Sequence, residues 1–222
     1  MKNYVLHGEN QPQLQKVLIQ LFEQAKSQEI DVVRIDWKKS NENELRLSAR
    51  SQGLISIGTL VVVDNFFTGN KKSLQIIKEL PKDGVSYIFI ENKTLSPGSI
   101  KALQELFTVQ GFPVPTSIFN FLNSLIPRNS KTSIEQLKKV VEQDSDEFLL
   151  IMIGRHIKNL IWIKEDSQTF KGADWQKQRL LVQAKKFSQE QLRGLHTKLL
   201  ELDRRNKSKN IHRTSKKTAF WN

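Results

Sequence analysis

The stretch Gly53-Leu54-Ile55-Ser56-Ile57-Gly58-Thr59-Leu60-Val61-Val62-Val63-Asp64 decides how this chain is read. Its second half holds Leu60-Val61-Val62-Val63, an aliphatic and mostly β-branched run with no polar alternation. Such a run predicts a strand covered on both faces, as in a parallel sheet. Its first half contains a small apolar step, Leu54-Ile55, that neither a helical nor a strand period requires. A buried strand is a stiff platform. Two large aliphatic side chains at its entrance either fold back into the core or are presented to a partner.

Working outward towards the N-terminus, Tyr-Val-Leu-His at 4–7 predicts a first strand ending at Gly8, with Pro12 near the first position of a helix. Leu14, Val17, Leu18, Leu21, Phe22 and Ala25 then recur at helical spacing, and Ile-Asp-Val-Val-Arg-Ile-Asp at 30–36 predicts a second strand. A polar helix is expected over 41–51 and the third strand over 59–64. On the C-terminal side, Phe66-Phe67-Thr68-Gly69-Asn70 has turn chemistry. A helix follows over 73–80, then a fourth strand over 85–91 and a helix over 97–107. Strands alternating with helices at intervals of about 25–30 residues predict a parallel sheet with helices on its faces.

The pattern changes after Gly111-Phe112-Pro113-Val114-Pro115. Two prolines within three residues predict an extended link, and no strand of comparable strength follows. The expected organisation is α/β plus all-α: an α/β domain over 1–111, a link over 112–116 and a helical bundle over 117–222. Helices are expected from Thr116 or Ser117, from Ser130, over 146–164, from a cap at Asp174, and from Ser188, where Ser188 and Gln191 match a capping box. The residues after 205 are basic and polar, suiting either a further short helix or a disordered tail.

The chain has 222 residues, no cysteine and a net charge of +12, so disulfides and thiolate metal sites are excluded. No apolar segment reaches signal-peptide or membrane-spanning form, and a cytoplasmic protein is expected. The charge is lopsided. Residues 155–222 hold 17 Lys and Arg against 6 Asp and Glu, while the first 154 are nearly balanced. This is either a solvated basic face with a tail or an electrostatic footprint for nucleic acid.

The first strand-to-helix loop invites a nucleotide, but a phosphate cradle needs glycine amides and a lysine. Here the loop reads Gly8-Glu9-Asn10-Gln11-Pro12-Gln13-Leu14-Gln15. Only the first glycine is present, Glu9 adds negative charge and Pro12 removes an N–H. No nucleotide, metal or other cofactor is expected. Asp64 reads as a strand-end residue, His7, His156, His196 and His212 share no ligand spacing, and His156 suits a satisfied core position. No catalytic residue is expected.

Taken together, the strand–Gly-Glu-Asn–helix without a P-loop lysine, the apolar step before Val-Val-Val-Asp and the helical C-terminal part resemble the delta subunit of bacterial DNA polymerase III, a clamp-loader subunit. Residues 149–164 (LLIMIGRHIKNLIWIK) resemble that family's apolar helix with a central Arg. Gln183-Ala184-Lys185-Lys186-Phe187-Ser188-Gln189-Glu190-Gln191-Leu192 resembles its Gln-Ala-Arg-Arg-Phe-Ser-x-Glu-Leu pattern, with one residue more before the Leu. Residues 199–207 (LLELDRRNK) resemble its Leu-x-x-x-Asp-x-x-x-Lys end.

The resemblance implies an AAA+-like parallel sheet without a P-loop, then a collar-like bundle. It also implies an accessory, non-catalytic subunit that binds and helps open the sliding clamp for loading onto primed DNA. Its partners would be the clamp and the other loader subunits, ATPase and delta-prime-like. The family's helical lid has no counterpart, because residues 112–116 join the two parts directly.

In the family an apolar pair just before the third strand enters a clamp pocket, which maps to Leu54 and Ile55. Ile55 departs from the family's frequent aromatic there. Two such side chains would each contribute about 1.5–3 kcal/mol when desolvated. Lys185, Lys186, Arg204, Arg205 and Lys207 are the expected contacts to DNA phosphates, and Trp162 and Trp175 are expected to pack within the bundle. The competing reading is a free-standing nucleic-acid-binding protein that uses the basic bundle.

Overall fold

The computed structural model describes residues 1–50, 57–142 and 145–218; for 147 and 208–218 it describes the backbone only. The chain divides into two compact units, Met1–Val114 and Pro115–Asn222.

The first unit runs β1 (Tyr4–His7), α1 (Gln11–Ser27), β2 (Ile30–Asp36), α2 (Glu42–Ser48), β3 (Gly58–Asp64), α3 (Ser73–Lys78), β4 (Val85–Glu91), α4 (Pro97–Gln104) and β5 (Thr108–Gly111). The strands form a parallel sheet in the order β2-β3-β4-β1-β5. The aliphatic run is its buried interior: Leu60, Val61, Val62 and Val63 are fully enclosed. Strand alternation sends Val61 and Val63 to one face, with Val5 and Phe89, and Leu60 and Val62 to the other, with Leu6 and Ile88. The first face is covered by Leu45 of α2, Ile76 and Ile77 of α3 and Leu103 of α4. The second is covered by Leu14, Leu18, Leu21 and Ala25 of α1. This is an α/β/α sandwich, and each enclosed aliphatic side chain contributes about 1.5–3 kcal/mol.

Local signals place the helices. Asn10, Asn41 and Ser96 accept the N–H groups of Gln13, Glu44 and Ser99, capping α1, α2 and α4. The Phe66–Asn70 turn is anchored by Phe66, which is fully buried with its ring 4.7 Å from those of both Trp37 and Phe89. The sequence does not predict β5. Its four residues form a sheet edge, and Val109 is its one large aliphatic. Phe112, expected in the link, is buried against Leu6 and the α1 face.

The second unit runs α5 (Thr116–Ser124), α6 (Ser130–Val141), α7 (Asp146–Glu165), α8 (Asp174–Ala184) and α9 (Gln189–Thr218). One core of this unit joins Ile157, Leu160 and Ile163 of α7 to Leu180 and Ala184 of α8, Phe187, and Leu192 of α9. The Ser188–Gln191 capping box forms as expected: Ser188 Oγ accepts the Gln191 N–H at 3.0 Å, and Gln191 Oε1 accepts the Ser188 N–H at 2.9 Å. Two expected caps differ. Asp174 is the first residue of α8, after Ala173 at the cap, and α5 begins after Pro115 without a side-chain cap. The last helix also runs on past 205 as one element.

Candidate functional site

The loop after β1 occupies the place where such a sheet would hold a phosphate, beyond the carboxyl end of a central strand. The donors on either side of Glu9 are already used. The Gly8 N–H donates to the Glu91 carbonyl at 3.0 Å and the Asn10 N–H to the Phe112 carbonyl at 2.9 Å. The Phe112 N–H donates back to the His7 carbonyl at 2.7 Å, and Gln11 Nε2 to the Gly8 carbonyl at 2.9 Å. Gly8 has φ +135°, and a Cβ there would stand 2.2 Å from the Phe112 carbonyl oxygen. Glycine at 8 therefore admits the backbone that follows β5, and Asn10, wholly enclosed, caps α1. The loop is a packing joint.

The polar groups at the other strand ends are committed in the same way. Asp64 receives Arg34 Nε at 2.7 Å and Nη2 at 3.0 Å, a two-pronged ion pair across β2 and β3 that raises the Arg34 pKa. Glu91 is buried and accepts the Phe67 and Thr68 N–H groups at 3.1 Å each and Thr68 Oγ1 at 2.7 Å. It ties the loop after β3 to the end of β4. His7 is buried, its Nδ1 accepts the Leu95 N–H at 3.3 Å, and burial lowers its pKa. Among the described residues no group of three or more His, Asp and Glu side chains is placed to hold a metal ion.

Leu54 and Ile55 lie outside the described residues. The large aliphatics that border them in sequence are presented to solvent: Leu47 on α2 is 66% exposed and Ile57, just before β3, is 72% exposed.

In the second unit the motif at 183–192 is a structural knot with two outward cations. Gln183 is buried between three helices. Its Nε2 donates to the Leu122 and Leu125 carbonyls at 2.9 and 2.8 Å, and its Oε1 accepts His156 Nε2 at 3.0 Å. The amide orientation fixes the tautomer: Oε1 must receive a proton, so His156 carries it on Nε2. Burial lowers the His156 pKa, opposed by this hydrogen bond. The satisfied core position expected for His156 is what the structure contains. Lys164 Nζ, from α7, donates to the Ala184 and Phe187 carbonyls at 3.2 and 2.7 Å, closing the C-terminus of α8.

Lys185 and Lys186 are exposed at that terminus. Arg204, Arg205 and Lys207 are exposed on α9, and Lys207 pairs with Asp203 at 2.6 Å. Two of the five line clefts, and not the same one. Lys186 lines the one between α5 and α8, and Lys207 the one between α7 and α9. The tryptophans part company as well. Trp162, expected in the bundle packing, is 36% exposed; it donates to Thr169 Oγ1 at 2.9 Å and meets Phe170 edge-on at the surface of the unit. Trp175 is 67% exposed and makes no ring contact among the described residues. Its position on the outward face of α8, in line with Arg179 and Val182, is the signal that would have revealed this.

No family model matches the sequence, and no curated protein matches it. Among solved structures the chain is similar to the Bacillus subtilis DNA clamp loader delta protein, at 13% identity and a TM-score of 0.49, over 93% of this chain and 90% of that one. It is also similar to a DNA polymerase III gamma subunit-related protein of Thermotoga maritima, at 12% identity and a TM-score of 0.35, over 77% of this chain and 59% of that one.

Proposed function

We propose that this chain is a non-catalytic clamp-loader subunit of the delta type, which grips a sliding clamp and helps open it for loading onto primed DNA. The observation that carries the reading is a pairing within one chain. A parallel sheet whose first loop is closed by its own backbone is followed by a helical unit knotted at Gln183–Leu192, the motif that resembles the delta family. A loader subunit that does not hydrolyse nucleotide needs a stiff platform, and β3, covered on both faces, supplies one.

Leu54 and Ile55 are the proposed clamp anchors. The exposed Leu47 and Ile57 on either side of them in sequence support an apolar corner there. The helical unit is the proposed collar that meets the loader ATPase and a delta-prime-like subunit, and Lys185, Lys186, Arg204, Arg205 and Lys207 are proposed to face DNA phosphates. Domain limits at 1–111, 112–116 and 117–222 and a cytoplasmic location belong to the same reading.

The test is capture of the purified clamp by the full chain, with Leu54→Ala/Ile55→Ala as the variant. Removing two anchors, each contributing about 1.5–3 kcal/mol, is expected to weaken capture by at least about a hundredfold while circular dichroism is unchanged. Undiminished capture by the variant refutes the assignment of the anchors; no capture by the wild type refutes the loader reading.

A further inference from the structure

Trp175, Arg179 and Val182 follow one another at four- and three-residue steps as a stripe on the outward face of α8, and Lys186 stands in the turn just after it. All four are exposed, Trp175 by 67% and Val182 by 60%. Arg179, Val182 and Lys186 line a cleft of 390 Å³, with Asn123 and Ile126 at the end of α5 and Gln178 of α8, and Trp175 stands one helical turn before Arg179, beyond the cleft's lining. Neither Arg179 nor Lys186 has a carboxylate partner among the described residues.

We infer that this cleft and the exposed Trp175 one turn beyond it form a binding site for single-stranded nucleic acid, with Trp175 as the platform on which a base stacks. Arg179 and Lys186 are the phosphate contacts, and Asn123 and Gln178 supply side-chain amides for base edges. The chemistry selects this ligand. Two unpaired cations call for an anion. An indole two-thirds exposed to solvent on the same helix as Arg179 calls for an exposed π-face, which an unpaired base offers and a stacked duplex does not. From Trp175 to the end of α8 at Ala184 the helix rises about 14 Å, a span for a few nucleotides. The apolar part of the stripe is one indole and one isopropyl group with polar groups around them. This is small against the roughly 800 Å² that a stable protein interface takes from each partner. The excess of cations over residues 155–222 adds a field that draws a polyanion to this unit. The inference rests on the second unit being a nucleic-acid face and is independent of clamp binding.

The experiment measures anisotropy of a labelled twelve-residue oligothymidylate, and of a hairpin duplex of equal length, with the full chain at low salt. Trp175→Ala is expected to weaken oligothymidylate binding about tenfold, with most of the affinity recovered in Trp175→Phe and duplex affinity changed by less than about twofold. Arg179→Ala/Lys186→Ala is expected to make the slope of log K against log salt shallower by about 1.4. Both variants alter exposed side chains, and circular dichroism checks their fold. The inference is overturned if the wild type does not bind the oligonucleotide, or if Trp175→Ala binds it normally. It is also overturned if both nucleic acids weaken equally, or if polyglutamate competes with the same dependence on Trp175, which marks an acidic protein as the ligand. Clamp capture by Trp175→Ala, measured in parallel, separates this site from the loader reading: it is expected to be unchanged.

Discussion

Gln183→Leu is the most direct probe of what holds the helical unit together. Leucine keeps nearly the same volume, so the packing of Gln183 survives and its hydrogen bonds do not. The substitution removes three bonds of 2.8–3.0 Å and strands the His156 Nε2–H and the Leu125 carbonyl, while the Leu122 carbonyl keeps the Leu125 N–H at 3.3 Å. A buried polar group left without a partner costs about 1–3 kcal/mol. The Leu125 carbonyl is only partly enclosed and regains water, so it falls at the low end. The expected loss is about 3 kcal/mol from the second unit alone. Native-state hydrogen exchange of the α7 amides, followed through a urea series, reads that unit separately from the sheet. Adding His156→Leu removes one of the stranded donors, so the double variant is expected to lose about 1 kcal/mol less than the two single losses combined. A Gln183→Leu loss below about 0.5 kcal/mol, or strict additivity with His156→Leu, refutes the knot as described.

The remaining expectations concern the first loop, pH and the clamp. Gly8→Ala sets a Cβ 2.2 Å from the Phe112 carbonyl oxygen and is expected to destabilise the first unit by about 3 kcal/mol or more, read by exchange of the β1 and β5 amides; a neutral result means that the loop does not pack as seen. In the same assay magnesium and ATP are expected to leave the wild-type melting temperature unchanged, and a rise of several degrees shows that a nucleotide is held. His7 and His156 both have folded pKa values lowered by burial, so the unfolded chain binds protons first as pH falls through about 6.5. Stability is therefore full above that pH and declines below it, and His156→Gln is expected to flatten the decline in the α7 amides; an unchanged slope counts against the buried neutral imidazole. Clamp capture is expected to respond to Leu54→Ala/Ile55→Ala and not to Trp175→Ala.

The sheet was legible where burial leaves a one-dimensional trace. The strands β1, β3 and β4 have enclosed side chains on both faces, so apolar residues run without alternation and the strands announce themselves. By contrast β5 is an edge of four residues with one large aliphatic, and nothing in Thr108-Val109-Gln110-Gly111 separates it from a loop. The sequence also shows that Gly8 is a lone glycine in a poor phosphate loop. It does not show why the glycine is there, because the reason is a carbonyl about a hundred residues away. In the bundle, the Ser188–Gln191 box is local and was readable. The partners of Gln183 come from α5 and α7, and no spacing rule links them. Trp175 shows the opposite error: aromatic residues usually fill cores, but here helical phase overrides residue type, since the positions aligned with it along α8 are Arg179 and Val182.

The closed first loop constrains how a loader subunit of this kind would be controlled. A ligand shifts a conformational equilibrium only as far as it binds one state better than another. In a sheet that holds nucleotide, the amides after the first strand gain and lose phosphate partners, and that exchange is the switch. Here the Gly8 and Asn10 amides donate to Glu91 and Phe112 of the same chain, and the Phe112 N–H returns a bond to His7. A phosphate entering this loop would have to break bonds that already satisfy its donors, and there is no lysine to compensate. Nucleotide, on the proposed reading, has no handle on this loop, and the sheet is a platform with no nucleotide switch there. On the proposed reading, any change in the grip on the clamp is imposed from outside, by a neighbouring ATPase that repositions the subunit as a whole. Clamp affinity of the isolated chain should then be the same with ATP, with ADP and with neither.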